Sequence, residues 1–397
     1  MQSPRVQSAY HKAACLFGPE FAAKARKHAE RHEKLLRRLG VAVVGGDGAS
    51  ARKIQRLILR SYSSKLSCLV RSAKKSHKLT PEWVKATATA LDPSKDCGEK
   101  IVAWAEAKAS GNGWRPVCSF GPKRKALQTL VADILTAKFG NEEFDYLVKG
   151  KGAEAASDEI VNLIDRGYRF FVLADIKDFF RSVQKGHVEE AMGLPKAVMR
   201  NSVLISPEAP LSIHRDVPHY STIEAFDGAV QSGLAQGSRT SQIIASLLLG
   251  PTLRKISPAK RLVVHGDDIA IAVRNEDEAY ALTNALDGVL KSHPAGPFRL
   301  KRCEVVHAND GFDFLQYRHR YDVVDQAVHR HPSANSYRKY QDRVRTLVLC
   351  HGYAGAIRLI ARYRYQWMKS FRRWQWNNVS KLLLWFTTKE AMNVGEK

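Results

Sequence analysis

The sequence predicts an α+β fold with a helical N-terminal extension, because the residue pattern changes twice along the chain. Residues 3–39 and 51–75 are rich in alanine, leucine, lysine and arginine, which is typical of helices. From about residue 100, helical stretches alternate with short apolar runs that contain β-branched and aromatic residues, and such runs indicate strands. From Ser333 onward the pattern is helical again.

The charge of the chain points to a polyanionic partner. The 63 lysines and arginines outnumber the 39 aspartates and glutamates, which gives a formal net charge of +24. Such an excess of cations repels itself unless phosphates or acidic lipids neutralise it, so nucleic acid is the first candidate partner. The 397 residues are enough for two or three lobes, each with its own core.

Cysteine spacing and hydropathy argue against several other classes of protein. The six cysteines are scattered without a C-x-x-C pair, so neither a zinc ribbon nor a disulfide framework is predicted. No run reaches the roughly 18 apolar residues that a membrane span needs. We therefore expect a cytoplasmic protein with reduced thiols and no membrane partner.

The N-terminal extension, residues 1–95, is expected to consist of basic helices. One helix is predicted over residues 3–39 and ends near Gly40, and a second over 51–75 follows the flexible residues 44–50. Thr80 and Pro81 have the pattern of an N-cap and a first-turn proline, so a third helix is expected there. The apolar face of the second helix is predicted to carry Ile54, Leu57, Ile58 and Leu66. The basic residues favour a grip on structured RNA or an oligomer interface, and a merely solvated face explains them equally well.

Four segments after residue 100 are the best strand candidates, and one buried helix lies among them. The strands are predicted at residues 170–175, 261–265, 269–273 and 312–317, and the helix at residues 241–253.

Three aspartates at predicted strand ends form the strongest chemical signal. Asp175 ends an apolar strand, and the adjacent Asp267 and Asp268 lie between two further apolar runs, RLVVH and IAIAV. Carboxylates beside an apolar core need compensation, and a cluster of three suits two Mg²⁺ ions that clamp the two oxygens of a phosphoryl transfer. For the Asp-Asp pair alone, an Asx turn that closes a hairpin is the competing explanation.

Two glycine-containing segments have features of nucleotide sites. Gln236 and Gly237 belong to a loop that leads directly into the predicted buried helix, so backbone can approach a base pair closely there. Lys108 and Arg115 flank a glycine-rich turn, a shape suited to a triphosphate. Each segment taken alone is more often an ordinary loop.

Taken in order, these segments resemble the reverse transcriptase family. Motif A of that family is matched by ADIKDFFRSV, motif B by GLAQGSRTSQ and motif C by VVHGDDIAIAV. Motif D and the primer-grip hairpin are matched by PFRLKRCEVV and GFDFLQYRHR. The fingers segment of bacterial members, which include group II intron, retron and defence-associated enzymes, is matched by WRPVCSFGPKRKALQTLVADIL. The resemblance covers about residues 100–320.

This resemblance implies a right-hand polymerase with fingers and an antiparallel palm sheet at residues 96–325 and a helical thumb at residues 326–397. It also implies metal ligation by Asp175, Asp267 and Asp268, with the backbone of Ile176 nearby. The metal is expected to be two Mg²⁺ ions, with Mn²⁺ as the alternative.

The resemblance assigns nucleotide contacts to further residues. Arg115, and less surely Lys108, are implied to contact the incoming triphosphate, and Gln236 and Gly237 to line the nascent pair. Lys301 is the candidate cation that protonates pyrophosphate. Its neighbour Arg302 is an alternative for that role, and an ordinary surface lysine explains Lys301 equally well.

Phe180, five residues after Asp175, is implied to exclude a ribose 2′-hydroxyl and so to favour deoxynucleotides, although core packing also explains a Phe-Phe pair. His265 and Gly266 depart from the family pattern, because Gly-Asp-Asp is the spelling familiar from RNA-dependent RNA polymerases. Gln242 follows the motif B serine, and this Ser-Gln pair resembles the reverse transcriptases of diversity-generating retroelements. Those enzymes usually have an aliphatic residue at the position of Gln236, so that position does not match them.

The C-terminal helices interleave arginines with aromatic residues, a composition typical of a grip on a duplex. Most of the aromatic side chains are expected to form the core of the thumb. The cations implied to contact nucleic acid are Arg358, Arg362, Arg364, Lys369, Arg372 and Arg373.

The sequence therefore predicts an RNA-directed DNA polymerase that adds deoxynucleoside triphosphates to a primer 3′-hydroxyl. The implied partners are an RNA template, with a dedicated noncoding RNA as one form of it, and a DNA or RNA primer. A bacterial retroelement or an anti-phage defence system is the expected setting, and a homo-oligomer and an accessory protein stay open. The alternatives are an RNA-dependent RNA polymerase, a diversity-generating enzyme, and an inactive RNA-binding scaffold.

Overall fold

The computed structural model describes residues 3–108, 114–147, 151–213 and 222–371. These residues form a mixed α+β fold whose N-terminal part is helical, which confirms the fold class predicted from the sequence. The helices are α1 (Pro4–Phe17), α2 (Pro19–Val44), α3 (Gly48–Arg60), α4 (Tyr62–Ser72), α5 (Pro81–Ala90), α6 (Pro122–Phe139), α7 (Gly152–Asp165), α8 (Phe179–Ser182), α9 (Lys185–Ala191), α10 (Lys196–Ser202), α11 (Ile223–Gln231), α12 (Arg239–Ile256), α13 (Glu276–Lys291) and α14 (Ala334–Lys369). The strands are β1 (Ile101–Ala107), β2 (Trp114–Ser119), β3 (Phe170–Ile176), β4 (Leu211–Ile213), β5 (Leu262–His265), β6 (Asp268–Val273), β7 (Leu300–His307), β8 (Phe312–Phe314), β9 (Tyr317–Asp322) and β10 (Ala327–Pro332).

The predicted N-terminal helices are each divided in two. The first breaks at Gly18, whose φ of 85° is left-handed, and Pro19 then starts α2 with a φ that suits a first helical turn. The second breaks at Ser61, whose hydroxyl accepts a hydrogen bond from Ser64 N at 3.3 Å and so caps α4. The predicted helical region is therefore correct, but these two interruptions were not predicted.

Two local predictions for this region have opposite outcomes. Thr80 caps α5 as predicted, since its hydroxyl accepts a hydrogen bond from Trp83 N at 3.2 Å. Leu57 was predicted on the apolar face of its helix, which was wrong, because the side chain is 49% exposed while Ile54 and Ile58 are buried.

A buried carboxylate joins the N-terminal helices to α6. Asp133 on α6 accepts hydrogen bonds from Arg5 Nε of α1 at 2.9 Å, from Arg71 of α4, and pairs with His32 Nε2 of α2 at 3.0 Å. The side chains of Asp133, His32 and Arg71 are all buried. The N-terminal helices are thus fixed to α6 by charge as well as by apolar packing.

The chain divides into two compact units that interleave along the sequence. The first contains Met1–Glu142, Lys177–Leu253 and Val289–Arg299, and the second contains Glu143–Ile176, Arg254–Gly288 and Leu300–Lys397. Because of this interleaving, the three-part division at residues 95/96 and 325/326 stays a prediction.

The first unit holds the small sheet β2-β1-β4, in which β1 is antiparallel to β2 and parallel to β4. Its apolar side packs with α11 through Phe226 and Val230, in a cluster that also includes Ile101 and Phe120.

The second unit holds the sheet β5-β6-β3-β7, in which all three strand pairs are antiparallel. The apolar predictions for β3, β5 and β6 are confirmed within one residue. Helix α7 covers the sheet through Ile160 and Leu163, which pack with Phe171 and Ala272. This burial fixes the strand ends at which the aspartates lie.

The segment 312–317 was predicted as one strand, which was wrong. The chain turns at Leu315, whose φ of 56° is left-handed, so that β8 and β9 form an antiparallel hairpin. β9 also pairs with β10, which completes a three-stranded sheet.

Helix α14 is bent back on itself. Gly352 has non-helical angles (φ 65°, ψ 166°), and Tyr340 before the kink lies 4.9 Å from Trp367 after it, measured between ring centroids. By length and composition alone α14 could cross a membrane, with a mean hydropathy of 1.2 over 18 residues. The expected lack of a membrane partner stays a prediction.

Candidate active site

A two-residue hairpin turn presents the Asp-Asp pair. His265 pairs with Asp268 across β5 and β6, so Gly266 and Asp267 form the turn between them. Gly266 has a φ of 74°, which a type II′ hairpin turn requires at its first position and glycine supplies without strain. A side chain there would also meet Leu147, since an added Cβ would lie 3.2 Å from Leu147 Cδ2. Asp267 therefore occupies the turn, and Asp268 is the first residue of β6.

Asp175 lies directly opposite Asp268. The two residues are Cα partners in the antiparallel pairing of β3 with β6, and directly opposed side chains project from the same face of a sheet. The backbone of Ile176 joins the group, because its N–H donates to Asp267 O at 3.4 Å. The three aspartates that the sequence predicted to converge are thus at one end of the central strands.

Burial and the crowding of the three carboxylates change the pKa of Asp268. Burial raises the pKa of Asp268 to about 7, and the nearby carboxylates of Asp267 and Asp175 add to the rise. Arg302 and Lys301 act in the opposite direction. Like charges held this close indicate a site that is completed by further positive charge.

A β-bulge directs Lys301 to this cluster. On β7, Arg302 pairs with Asp175 and Leu300 pairs with Ile176, so Lys301 is the extra residue between them. Its ammonium donates to Asp175 Oδ2 at 2.7 Å, and this hydrogen bond raises the pKa of Lys301. Lys301 is therefore more than a solvated cation, although its side chain is 54% exposed. Its predicted role toward pyrophosphate stays a prediction.

The donor set fits a hard divalent cation. Asp175, Asp267 and Asp268 offer only carboxylate oxygens, the ligands that Mg²⁺ and Mn²⁺ prefer. Burial and then the charges of Asp267 and Asp175 raise the pKa of Asp268, and bound cations would relieve the part that is due to charge. Ligation by these residues and by the backbone of Ile176 is thus chemically consistent and stays a prediction.

In the first unit, both predicted triphosphate ligands are paired with acids. Lys108 Nζ donates to Asp178 Oδ1 at 2.6 Å, and Arg115 pairs with Glu106 directly across β1 and β2 at 3.1 Å. β1 and β2 pair in antiparallel fashion, and the glycine-rich residues 109–113, predicted as a turn, lie outside the described residues.

The loop before α12 is fixed to β2. Cys118 N donates to Gln236 O at 2.8 Å, and Gly237 sits so close to β2 that a Cβ would lie 2.2 Å from Cys118 O. Among the described residues no donor reaches Gln236 Oε1, although that atom is buried. A buried acceptor without a partner is costly. Gln236 is therefore well placed to take a donor from a ligand.

The same loop also contacts the segment after β3, a contact that the sequence did not reveal. Leu234 N donates to Phe180 O at 2.7 Å, and Gly233, with a φ of 57°, is so near that a Cβ would lie 2.1 Å from Phe180 O. Gly233 was the available signal, since a glycine before a motif marks a close backbone approach.

Phe180 is half-buried, whereas its neighbour Phe179 is fully packed against Phe298, with ring centroids 5.0 Å apart. Packing therefore accounts for the first phenylalanine of the pair and leaves part of the Phe180 ring accessible. Its role in sugar selection stays a prediction.

The predicted duplex-binding cations of α14 are largely accessible. Arg358, Arg362 and Lys369 are exposed and Arg364 is half-buried, while Arg372 and Arg373 lie outside the described residues. Trp367 and Phe371 are buried in one cluster, whereas Tyr365 is 68% exposed and Trp374 and Trp376 lie outside the described residues. The expectation that most of these aromatic residues form a core stays a prediction.

The family model described as "Reverse transcriptase (RNA-dependent DNA polymerase)" matches residues 107–319, which is more than half of the chain. No curated protein matches the chain. Among solved structures, a telomerase from Candida albicans, in complex with the TWJ fragment of telomeric RNA, is similar with a TM-score of 0.36 and 12% sequence identity. That match covers 75% of this chain and 61% of the telomerase chain, so the chain spans less than two thirds of the length of this relative.

Proposed function

This chain belongs to the reverse transcriptase family, and on that premise we propose that it is an RNA-directed DNA polymerase, a nucleotidyltransferase that extends a primer 3′-hydroxyl with deoxynucleoside triphosphates. The observation that carries the proposal is the position of Asp175 opposite Asp268, beside the turn that holds Asp267. The mixed α+β fold with its helical N-terminal region is consistent with a right-hand polymerase.

In the proposed reaction, Asp175, Asp267 and Asp268 would hold two divalent cations. When bound, these cations supply Lewis-acid charge to the attacking and leaving oxygens. Lys301 would orient Asp175 through its hydrogen bond, and its ammonium is the proton donor proposed for pyrophosphate.

The residues of the first unit would select and hold the nucleotide. Arg115 and Lys108 would exchange their acidic partners for phosphate oxygens. Gln236 would accept a hydrogen bond from the nascent pair through its unpartnered Oε1, and Gly237 would let the backbone approach that pair. Phe180 would stand where a 2′-hydroxyl must be excluded.

A template RNA and a primer are the proposed partners, and the exposed cations of α14 support a duplex grip. We further propose a cytoplasmic enzyme of the prokaryotic type, from a retroelement or an anti-phage defence system that supplies a noncoding RNA. The resemblance of its fingers segment to bacterial members supports this finer assignment.

One observation favours a second candidate. The sequence Gly266-Asp267-Asp268 matches the Gly-Asp-Asp motif that is familiar from RNA-dependent RNA polymerases. Phe180 argues for deoxynucleotides, so the two candidates are separated by the sugar of the nucleotide that is incorporated.

Extension of a labelled primer on an RNA template tests the proposal. We expect incorporation with dNTPs and little with NTPs. Asp267→Asn should abolish extension and keep RNA binding, whereas the exposed control Asp277→Asn should extend normally. Preference for NTPs would support the RNA polymerase candidate, and synthesis by Asp267→Asn would overturn the assignment of the site.

A further inference from the structure

Four cationic side chains and one histidine from separate segments of the first unit gather around the end of α4, outside the aspartate site. We call them the cationic cluster; its members are Lys12 on α1, Lys74 and His77 at the turn after α4, Lys125 on α6 and Arg239 on α12. Burial and then the charges of Arg239, Arg71 and Lys74 lower the pKa of Lys12. Burial and then Lys74 and Arg239 lower the pKa of Lys125. Each cation thus experiences several others, which is unfavourable without an anion.

Two carboxylates act on the cluster, which is fewer than its four cations. Asp133 acts on Arg239, but it also pairs with Arg5, His32 and Arg71. Glu99 is the carboxylate that acts on Lys125 and His77. Its two oxygens also accept from the backbone N–H groups of Lys123 at 3.1 Å and Arg124 at 2.9 Å, and its charge is one against the cations around it. Glu99 therefore caps the start of α6, and positive charge remains in excess around Lys125.

Neutral oxygens hold two members of the cluster in place. Lys12 Nζ donates to Arg71 O at 2.6 Å, and Arg239 Nη1 donates to Thr129 Oγ1 at 3.1 Å. Thr129 in turn lies 3.0 Å from Ser72 Oγ, which ties the arginine to α4. Lys12 and Arg239 are thus preorganised without loss of their charge, and preorganised cations bind phosphate at a lower entropic cost.

The cluster is open to solvent and close in sequence to the nucleotide loop. Lys74 and Arg239 are exposed, and Lys12, His77 and Lys125 are half-buried. Arg239 follows Gln236 by three residues in the loop that leads into α12. Lys12, Lys74 and His77 lie outside residues 107–319, so the cluster depends on residues beyond the family match.

We propose that the cationic cluster binds the phosphate backbone of the RNA template, and that the N-terminal helices thereby form part of the template grip. This inference rests on the proposed function for the identity of the strand. A polynucleotide suits the cluster better than a single nucleotide, because its cations come from four segments and the predicted triphosphate ligands, Lys108 and Arg115, lie elsewhere in the sequence. The net charge of +24 favours the same partner.

The test is the salt dependence of RNA affinity. We would measure the Kd of a labelled RNA template annealed to a primer, by fluorescence anisotropy, between 50 and 200 mM salt. For Lys74→Gln/Lys125→Gln we expect the slope of log K against log salt to become shallower by about 2, since each phosphate contact contributes about 0.9. At 100 mM salt, affinity should fall by about tenfold for each charge removed.

A matched control removes two exposed lysines of α2, Lys27→Gln/Lys34→Gln, and should leave the slope unchanged. Arg239→Gln, if stably folded, should reproduce about half of the double-variant effect. The proposal would be overturned if the salt slope of the double variant were unchanged. It would also be overturned if the control variant lost as much RNA affinity as the double variant. A raised KM for dNTP with unchanged RNA affinity would overturn it as well, because the cluster would then hold the nucleotide.

Failure of the proposed function gives a different result. A wild-type protein that binds RNA with a cluster-dependent slope but never extends a primer contradicts the polymerase assignment and leaves the phosphate site standing. A wild-type protein that extends primers while cluster variants bind RNA normally contradicts the phosphate site alone.

Discussion

Replacing Asp133 by asparagine should strongly destabilise the protein. Asp133 is the shared acceptor for Arg5, His32 and Arg71, and it joins three N-terminal helices to α6. Burial on its own raises the pKa of Asp133, but Arg71 and then His32 outweigh burial and hold the pKa below its ordinary value. An asparagine removes the negative charge and turns one acceptor into a donor that faces cationic groups.

The size of the stability loss depends on the buried cation that the substitution leaves in place. The Arg71 side chain is only 9% exposed and cannot lose its proton, so Asp133→Asn leaves a buried cation without a counter-charge. Breaking a buried ion pair in this way costs about 3–5 kcal/mol. The control Glu30→Gln breaks the exposed pair with Arg26 on α2, which should cost no more than about 1 kcal/mol.

Urea and thermal unfolding, followed by circular dichroism, measure the difference. The pH dependence of stability tests the same ion pair through His32. Burial lowers the pKa of His32, yet Cys68 and Asp133 outweigh it and raise that pKa to about 9. A raised histidine pKa stabilises the fold fully below about pH 6.5 and loses this contribution as the pH rises through about 9. The difference in the free energy of unfolding between wild type and Asp133→Asn should therefore become smaller as the pH rises from about 6.5 to 9. A variant within about 1 kcal/mol of wild type at pH 7 would refute the reasoning.

Three further predictions concern single residues. Phe180→Ala should raise NTP incorporation relative to dNTP incorporation, and an unchanged sugar preference in competition assays would exclude the ring as the selector. Gly233→Ala should cost more than about 2 kcal/mol, because its φ is left-handed and its Cβ would strike Phe180 O, whereas Gly228→Ala on open α11 should stabilise slightly. Burial lowers the pKa of His319 to about 3, so only the unfolded chain is protonated between about pH 6.5 and 3. Stability should then fall by about 1.4 kcal/mol per pH unit on acidification, and His319→Gln should show a correspondingly shallower acid slope in urea titrations; identical slopes would contradict this assignment.

The sequence was a good guide where one local pattern decides the structure. Apolar runs of the right length located β3, β5 and β6, and the motif spacing placed Asp175 and Asp268 at strand ends. It failed where a single residue interrupts a favourable pattern. Gly18, Ser61 and Leu315 each break an element that composition alone would have continued.

Features that depend on pairing between distant segments were beyond the sequence. The choice between Lys301 and Arg302 depends on a bulge in β7, which is a property of the register with β3. The contact of Gly233 with Phe180 O and the pairing of Lys108 with Asp178 each need two segments to be in place. The cationic cluster was hidden for the same reason, because its members lie more than two hundred residues apart at the extremes.

Binding of Mn²⁺ measured by electron paramagnetic resonance at pH 8 tests the central claim most directly, since it needs no turnover. It would be measured with a primer that cannot be extended, an RNA template and dNTP. We expect the wild type and Asp277→Asn to bind the ion alike, and Asp175→Asn and Asp268→Asn to bind it at least tenfold more weakly. If both active-site variants bind Mn²⁺ as tightly as the wild type, the three aspartates do not form the metal site.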